Sequence, residues 1–323
     1  MKTAYKLPGL FLAFALALAF GESTAQSFPN RPMRIVIPFT TGGGNDIVGR
    51  IVAAKMSDGL GQPVVVENRP GAQGVIAVEN VLKAAPDGHS ILMGPSGTMT
   101  INPAIYSKLP YATLRDFAPV TMIGLYSLIL IVNPSLPVHT TRELIDYAKA
   151  RPTQVNYGST SGLFQLASEL FNQRAGTRFQ HIPYKGAGDM LTAVLSGELT
   201  MVLGDPVSAA GALKSGKVRG LAITGSTRHP SWPDLPTMAE AGLAGMDITI
   251  WFGLFVAAGT PAPIVQRLHQ EVVRILALPD IRERLAALGV DPSGMSPEDF
   301  TRRVAQDIAR WTKVAKQANI KAD

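Results

Sequence analysis

From Met33 onward, short β-branched runs alternate with longer stretches whose apolar residues recur every three or four positions. That alternation restricts the chain to an α/β fold with mainly parallel sheets and flanking helices, because parallel neighbours need a crossover, usually a helix. Strands are predicted at 34–37, 64–67, 90–93, 128–132, 155–157, 179–182, 201–203 and 218–223. After Asp46, the residues Ile47, Val48, Ile51, Val52 and Met56 share one face, a stripe to be buried on a sheet. The last helix is the best marked. Ser296, Pro297 and Asp299 read as N-cap, first-turn proline and capping-box acid, and Phe300, Val304, Ile308, Trp311 and Ala315 then repeat at helical spacing.

The alternation breaks twice. Runs 120–123 and 128–132 are separated only by 124–127, with no helix between them, and the proline-rich stretch 226–245 precedes the apolar run 251–255. Two crossings are what a chain makes when it leaves one α/β lobe, builds a second and returns. The expected lobes are 26–125 plus about 246–323, and 126–245, two domains for a chain of 323 residues. A cleft between them would be lined by strand ends and helix N-termini, where open α/β sheets bind ligands.

Residues 1–25 look like a secretory signal: Lys2 and Lys6, an 11-residue apolar run from Leu10 to Phe20, then Ser23, Thr24 and Ala25. A run that short is about half of what a spanning helix needs, so the mature chain is expected to start at Gln26 in an exported, periplasmic compartment, without membrane insertion. With no cysteine, disulfides, thiolate zinc sites and cysteine nucleophiles are excluded together. The histidines fit no paired-ligand spacing, and neither a metal nor a cofactor is expected. Removing the signal lowers the formal net charge of +6 by one. The basic residues are scattered rather than clustered with aromatics, which argues against nucleic acid and leaves small anions as compatible partners.

The strongest local signal is Pro38-Phe39-Thr40-Thr41-Gly42-Gly43-Gly44-Asn45-Asp46, a glycine run with two hydroxyls between a strand and a helix. Glycines let successive N–H groups face one concavity, and the helix start adds its positive dipole end, so this reads as an anion cradle. A tight turn without ligand is the alternative. Asp46 is expected to cap the helix, since its carboxylate would repel an anion. A dinucleotide fingerprint fails because Ile47 stands where the third glycine belongs. The stretch 211–217 has P-loop spacing but runs from helix to strand and lacks the hydroxyl, so Gly216 is better read as a helix C-cap.

Gly158-Ser159-Thr160-Ser161-Gly162 is not a nucleophile elbow, whose centre must be serine. It reads either as a second cradle or as plain hydroxyl capping of the next helix. Gly94-Pro95-Ser96-Gly97-Thr98 and Pro183-Tyr184-Lys185-Gly186-Ala187-Gly188 repeat the theme. Lys185 could offer charge to a carboxylate or be an ordinary solvated lysine. Asp205, at a strand's C-terminal end, would accept a hydrogen bond from a ligand or cap the next helix ahead of Pro206.

Taken together, RPMRIVIPFTTGGGNDIVGR (31–50), PVVVENRPGAQGVIA (63–77), KAAPDGHSILMG (83–94), IPYKGAGDMLTAVLSGELTMVLGD (182–205), KVRGLAITGSTRHPSWPDLPTMAEAG (217–242) and WFGLFVAAGTP (251–261) resemble the periplasmic solute-binding proteins of the tripartite tricarboxylate transporter system, the Bug proteins. The resemblance covers essentially the whole mature chain. It implies a two-lobed, type II periplasmic-binding-protein fold that closes on a small organic carboxylate, held largely by backbone amides, hydroxyls and bridging waters, and a partnership with the transporter's membrane subunits. Carried over, it points to Phe39, Thr40, Thr41, Gly42, Gly43 and Asp46 in the first lobe, and to Ser159, Thr160, Ser161, Lys185, Gly186, Ala187 and Asp205 in the second. Ser96 and Gly97 join them as the third glycine-hydroxyl loop. Gln73 stands where the family often has glycine, Gln165 where histidine is frequent, and Gly188-Asp189 replaces a small residue and proline, which leaves the distal half of the pocket unspecified. The resulting expectation is a non-enzymatic receptor. The rivals are a sensory receptor component with the same ligand, and an exported hydrolase using Ser161 or Asp205, which lacks an identifiable base.

Overall fold

The computed structural model describes residues 28–318. The proposed signal segment 1–25 lies outside the described residues. In chain order the elements are β1 (Met33–Ile37), α1 (Gly44–Leu60), β2 (Val64–Asn68), α2 (Val75–Leu82), β3 (Ser90–Pro95), a wide helical turn at Gly97–Ile101 leading into α3 (Asn102–Ile105), α4 (Thr113–Asp116) and β4 (Phe117–Ser127). The chain continues as β5 (Ile129–Val132), α5 (Thr141–Ala150), β6 (Asn156–Ser159), α6 (Gly162–Ala175), β7 (Gln180–Pro183), α7 (Ala187–Ser196), β8 (Met201–Gly204), α8 (Pro206–Lys214) and β9 (Arg219–Ile223). It ends with β10 (Thr249–Ala257), α9 (Ala262–Leu276), α10 (Pro279–Ala287), β11 (Asp291–Met295) and α11 (Pro297–Ala318).

The strands form two sheets, β11-β4-β10-β3-β1-β2 and β7-β6-β8-β5-β9, each flanked by helices. Both are mixed rather than mainly parallel, which corrects the sequence reading. β1 is parallel to β2 and β3, and β6 to β7 and β8, as helical crossovers require. β10 is antiparallel to β3 and β4, and β5 to β8 and β9. These are the strands by which the chain passes between sheets, and no crossover helix turns them back. At the first expected break β4 passes directly to β5 in the other sheet with no helix between them, but residues 124–127 belong to β4, which leaves Leu128 alone between the sheets. A Cβ at Gly124 would lie 2.7 Å from the Asp291 carbonyl oxygen, so the missing side chain lets β11 pair there.

The core follows the predicted periodicities. Ile35, Ile37, Val48, Val52 and Met56 are buried between the first sheet and α1, while Phe300 and Val304 of α11 pack on Trp251 and Phe255 from the other face. Ser296 Oγ accepts the Asp299 N–H at 3.1 Å, the predicted cap of α11. The two crossings run side by side, joined by Thr224. Its hydroxyl accepts from the Leu128 N–H (2.9 Å) and donates to the Ile248 carbonyl (2.6 Å), and the residue is fully buried. Among the described residues no helix is long and apolar enough to cross a membrane.

Candidate ligand-binding site

The C-terminal ends of β1, β3, β6, β7 and β8 all point at one cavity between the two sheets, the place where open α/β sheets take ligands. It is narrow, with about 40 Å³ in which a water-sized group can be centred. That is room for a few atoms beyond one ordered water. The lobes touch across it. A Cβ on Gly44 would sit 2.8 Å from Asp205 Oδ1, one on Gly97 would lie 3.4 Å from Leu163 Cβ, and one on Gly186 would overlap Thr40 Oγ1. This is a closed clam, with glycine wherever the approach is closest.

Three helix starts meet at the cavity: α1 after Gly43, α6 after Ser161 and α7 after Gly186. In none of them does the N-cap side chain bond the helix, whereas Thr140 caps α5 and Asp205 caps α8 in the ordinary way. First-turn N–H groups have no intrahelical partner, so a start that its N-cap leaves free offers donors to what lies in front of it, although at α6 the first of them, the Gly162 N–H, is taken by Gln73 Oε1. No lysine, arginine or histidine lines the cavity. Attraction for an anion here therefore has to come from backbone dipoles rather than from charged side chains.

Of the residues singled out in the sequence, Phe39, Thr40, Gly43, Gly97, Thr160, Ser161, Gly186, Ala187 and Asp205 line this cavity together. The others do not. Asp46 is buried with its carboxylate committed elsewhere: it accepts from the Gly42 N–H (3.0 Å), from Arg50 Nε (2.9 Å) and from Asn68 Nδ2 (3.0 Å). It braces the glycine turn from behind and is not the N-cap, which is Gly43. Gly42, at φ 84°, and the exposed Thr41 belong to the same turn. Ser96 is buried beside Gly97, just behind the lining. Ser159 points away and pairs with His181 Nε2 at 2.7 Å. Lys185 lines a neighbouring cavity instead.

The Ser159–His181 pair is a nucleophile-and-base combination that the sequence did not reveal. Ser159 is only 4% exposed and neither residue lines the cavity, so the pair has no access to a substrate there. Sequence reasoning also missed the apolar wall of Tyr126, Leu163, Phe164 and Ile250. Leu163 and Phe164 directly follow the Gly158–Gly162 motif on the first turn of α6, a usable signal. Tyr126 and Ile250 sit near the crossings, and only the closed arrangement brings them in. Tyr126 stacks on Phe252 with ring centroids 4.8 Å apart, and burial holds its phenol neutral by raising its pKa.

Asp205 caps α8, as one of its two readings had it, and also lines the cavity. Its Oδ1 accepts the Ser208 N–H at 2.8 Å, and its Oδ2 takes the Ser208 hydroxyl at 2.7 Å. Burial raises its pKa above the ordinary aspartate value, an effect opposed by the bonds from Ser208. An acid whose folded-state pKa is raised favours its protonated form in the fold, and that contribution is lost as pH rises through the raised value.

The model of the tripartite tricarboxylate transporter family receptor, TctC, matches residues 48–320 of this sequence. The chain belongs to this family. Similar solved structures include a Rhodopseudomonas palustris protein, Rpa4515, with adipate, 36% identical at a TM-score of 0.88 over 91% of this chain and 99% of that one. MatC from the same organism, with bound malate, is 34% identical at a TM-score of 0.84 over 89% and 99%. The periplasmic binding protein BugD is 30% identical at a TM-score of 0.87 over 92% and 100%. The fold of this TctC-family chain is thus the two-lobed fold of periplasmic binding proteins, and both family and fold are those of receptors rather than enzymes.

Proposed function

We propose that this chain is a periplasmic solute-binding receptor that captures a small organic carboxylate between its lobes, 26–125 with about 246–323 and 126–245, and delivers it to the membrane subunits of a tripartite tricarboxylate transporter. The observation that carries this reading is the meeting of three helix starts, uncapped by their N-cap residues, in a closed cavity without a cationic side chain. Such a site suits oxygens that accept several N–H bonds at once, as a carboxylate does. Phe39, Thr40 and Gly43 from one lobe and Thr160, Ser161, Gly186 and Ala187 from the other supply the donors and walls. The adipate and malate held by two neighbours are ligands of the same chemical kind. A segment with the features of a secretory signal and the periplasmic setting of BugD support the location. Closure completes the site because neither lobe supplies all of it, and a ligand touching both lobes shifts the population toward the closed form.

Calorimetric titration with short-chain acids tests the reading, and absence of binding across mono-, di- and tricarboxylates would sink it. A pH series adds a second check. Ionised Asp205 repels a carboxylate, so affinity is expected to rise as pH falls through the raised Asp205 pKa, provided the ligand stays ionised. Asp205→Asn keeps an acceptor for Ser208 and removes the charge, so it should flatten this profile. An unchanged pH slope in the variant would remove Asp205 from the electrostatics of the site.

A further inference from the structure

A second cavity adjoins the first and shares Phe39, Thr40 and Thr160 with it. It is much roomier, with about 460 Å³ open to water-sized groups, and its far walls include Gln73 from the first lobe and Tyr184 and Lys185 from the second. Phe39, Thr40 and Thr160 are thus the common wall of the two cavities, which a ligand anchored in the inner one would have to pass to reach the outer one.

Gln73 is held there against its own backbone preference. Residues Gly71, Ala72, Gln73 and Gly74 all have positive φ, at 126°, 45°, 54° and 93°. For Ala72 and Gln73 this left-handed region is disfavoured by the Cβ and persists only where surroundings enforce it. The enforcement is visible: Asn102 Nδ2 and Thr98 Oγ1 both donate to the Gln73 carbonyl, at 2.9 and 3.3 Å. The side chain then crosses the cleft, where Oε1 accepts the Gly162 N–H at the start of α6, at 3.2 Å. Only an oxygen can accept that bond, so the amide orientation is set and Nε2 keeps its two donors, in a residue that lines the outer cavity. Lys185, exposed on the facing wall, makes no ion pair among the described residues.

We propose that Gln73 and Lys185 form an outer subsite that reads the far end of the bound acid, favouring linear acids with a second carboxylate over acids of equal length that end in a methyl group. This rests on the receptor reading above. Lys185 supplies the charge, and Gln73, anchored on α6, supplies oriented donors from the opposite lobe, so the far carboxylate also ties the two lobes together.

The test is calorimetric titration of linear diacids of four to eight carbons, each against its matched monoacid. Lys185→Gln is expected to cut the diacid-over-monoacid preference about tenfold, as loss of a charge-assisted bond would. Gln73→Leu should cut it about threefold or more, as loss of a neutral bond would. Added salt should shrink the preference in the parent protein and not in Lys185→Gln, because an exposed charge is screened. Thermal denaturation of each variant checks folding. If both variants weaken diacid and monoacid by one common factor, or leave the preference untouched, the outer subsite is overturned and these residues act only on closure or not at all. If no carboxylate binds the parent protein, the receptor reading itself fails.

Discussion

Gly44→Ala is expected to weaken carboxylate binding by roughly 10- to 100-fold while moving the melting temperature of the ligand-free protein by no more than about 2 °C. The added methyl would sit 2.8 Å from Asp205 Oδ1 across the cleft. That carboxylate is tied to the Ser208 N–H and hydroxyl, so it cannot swing aside without breaking bonds in a buried setting. Either those bonds break or the lobes stay apart. A hydrogen bond to a charged group contributes about 1.5–3 kcal/mol, and overpacking a close contact costs a similar 1–3 kcal/mol; about 1.4 kcal/mol is tenfold in affinity. Within the first lobe the methyl meets Phe252 Cζ at 3.3 Å, which a shift of a few tenths of an ångström relieves. Alanine's better helix propensity offsets that cost by about 1 kcal/mol or less. Gly211→Ala serves as the control, because nothing lies within 4 Å of its added methyl on the solvent side of α8. Titration calorimetry and thermal denaturation on the same samples decide the matter, and undiminished affinity in Gly44→Ala would mean that the closed contact seen here is not the binding-competent one.

A carboxylate present at about 100 times its dissociation constant should raise the melting temperature by roughly 5–10 °C. Binding only to the folded form contributes about 2.7 kcal/mol at that concentration. For a chain of this size each kcal/mol moves the midpoint by about 2–4 °C. A ligand held as proposed would touch both lobes and link them, which makes the shift a report on closure as much as on contact. A panel of di- and tricarboxylates, acidic amino acids and aromatic acids should divide into a few strong stabilisers and a silent majority. Uniformly flat melting curves, with the protein folded, would leave the cavity without its assigned ligand class.

Much of the cavity lining was legible in the amino-acid sequence. A glycine run between strand and helix has few physical uses, and the loops at 38–46, 94–98, 158–162 and 183–188 do converge. What misled was the behaviour of individual side chains. Asp46 was read as a helix cap from its place in the motif and as a ligand contact from the resemblance, yet its carboxylate is committed to the Gly42 N–H, Arg50 and Asn68. Lys185 was carried over from the resemblance as a ligand contact, with a solvated lysine as the alternative; it is exposed and lines the outer cavity rather than the inner one. Gln73 was noted only as a departure from glycine. Its side chain reaches the other lobe, which no local pattern encodes.

The amino-acid sequence by itself determined the alternating strands and helices, the stripe on α1, the capping of α11, the return of the chain to its first sheet and the presence of small-residue loops at strand ends. These are local properties, set by side-chain periodicity and backbone permissiveness within a few residues. Only the tertiary structure decided that the strands joining the sheets run antiparallel, that Gly44 meets Asp205, that Tyr126 and Ile250 wall the cavity, and that Gln73 bridges the cleft. Each of those depends on how two sheets distant in sequence are set against one another. That arrangement is fixed by the packing of the whole molecule around its two crossings.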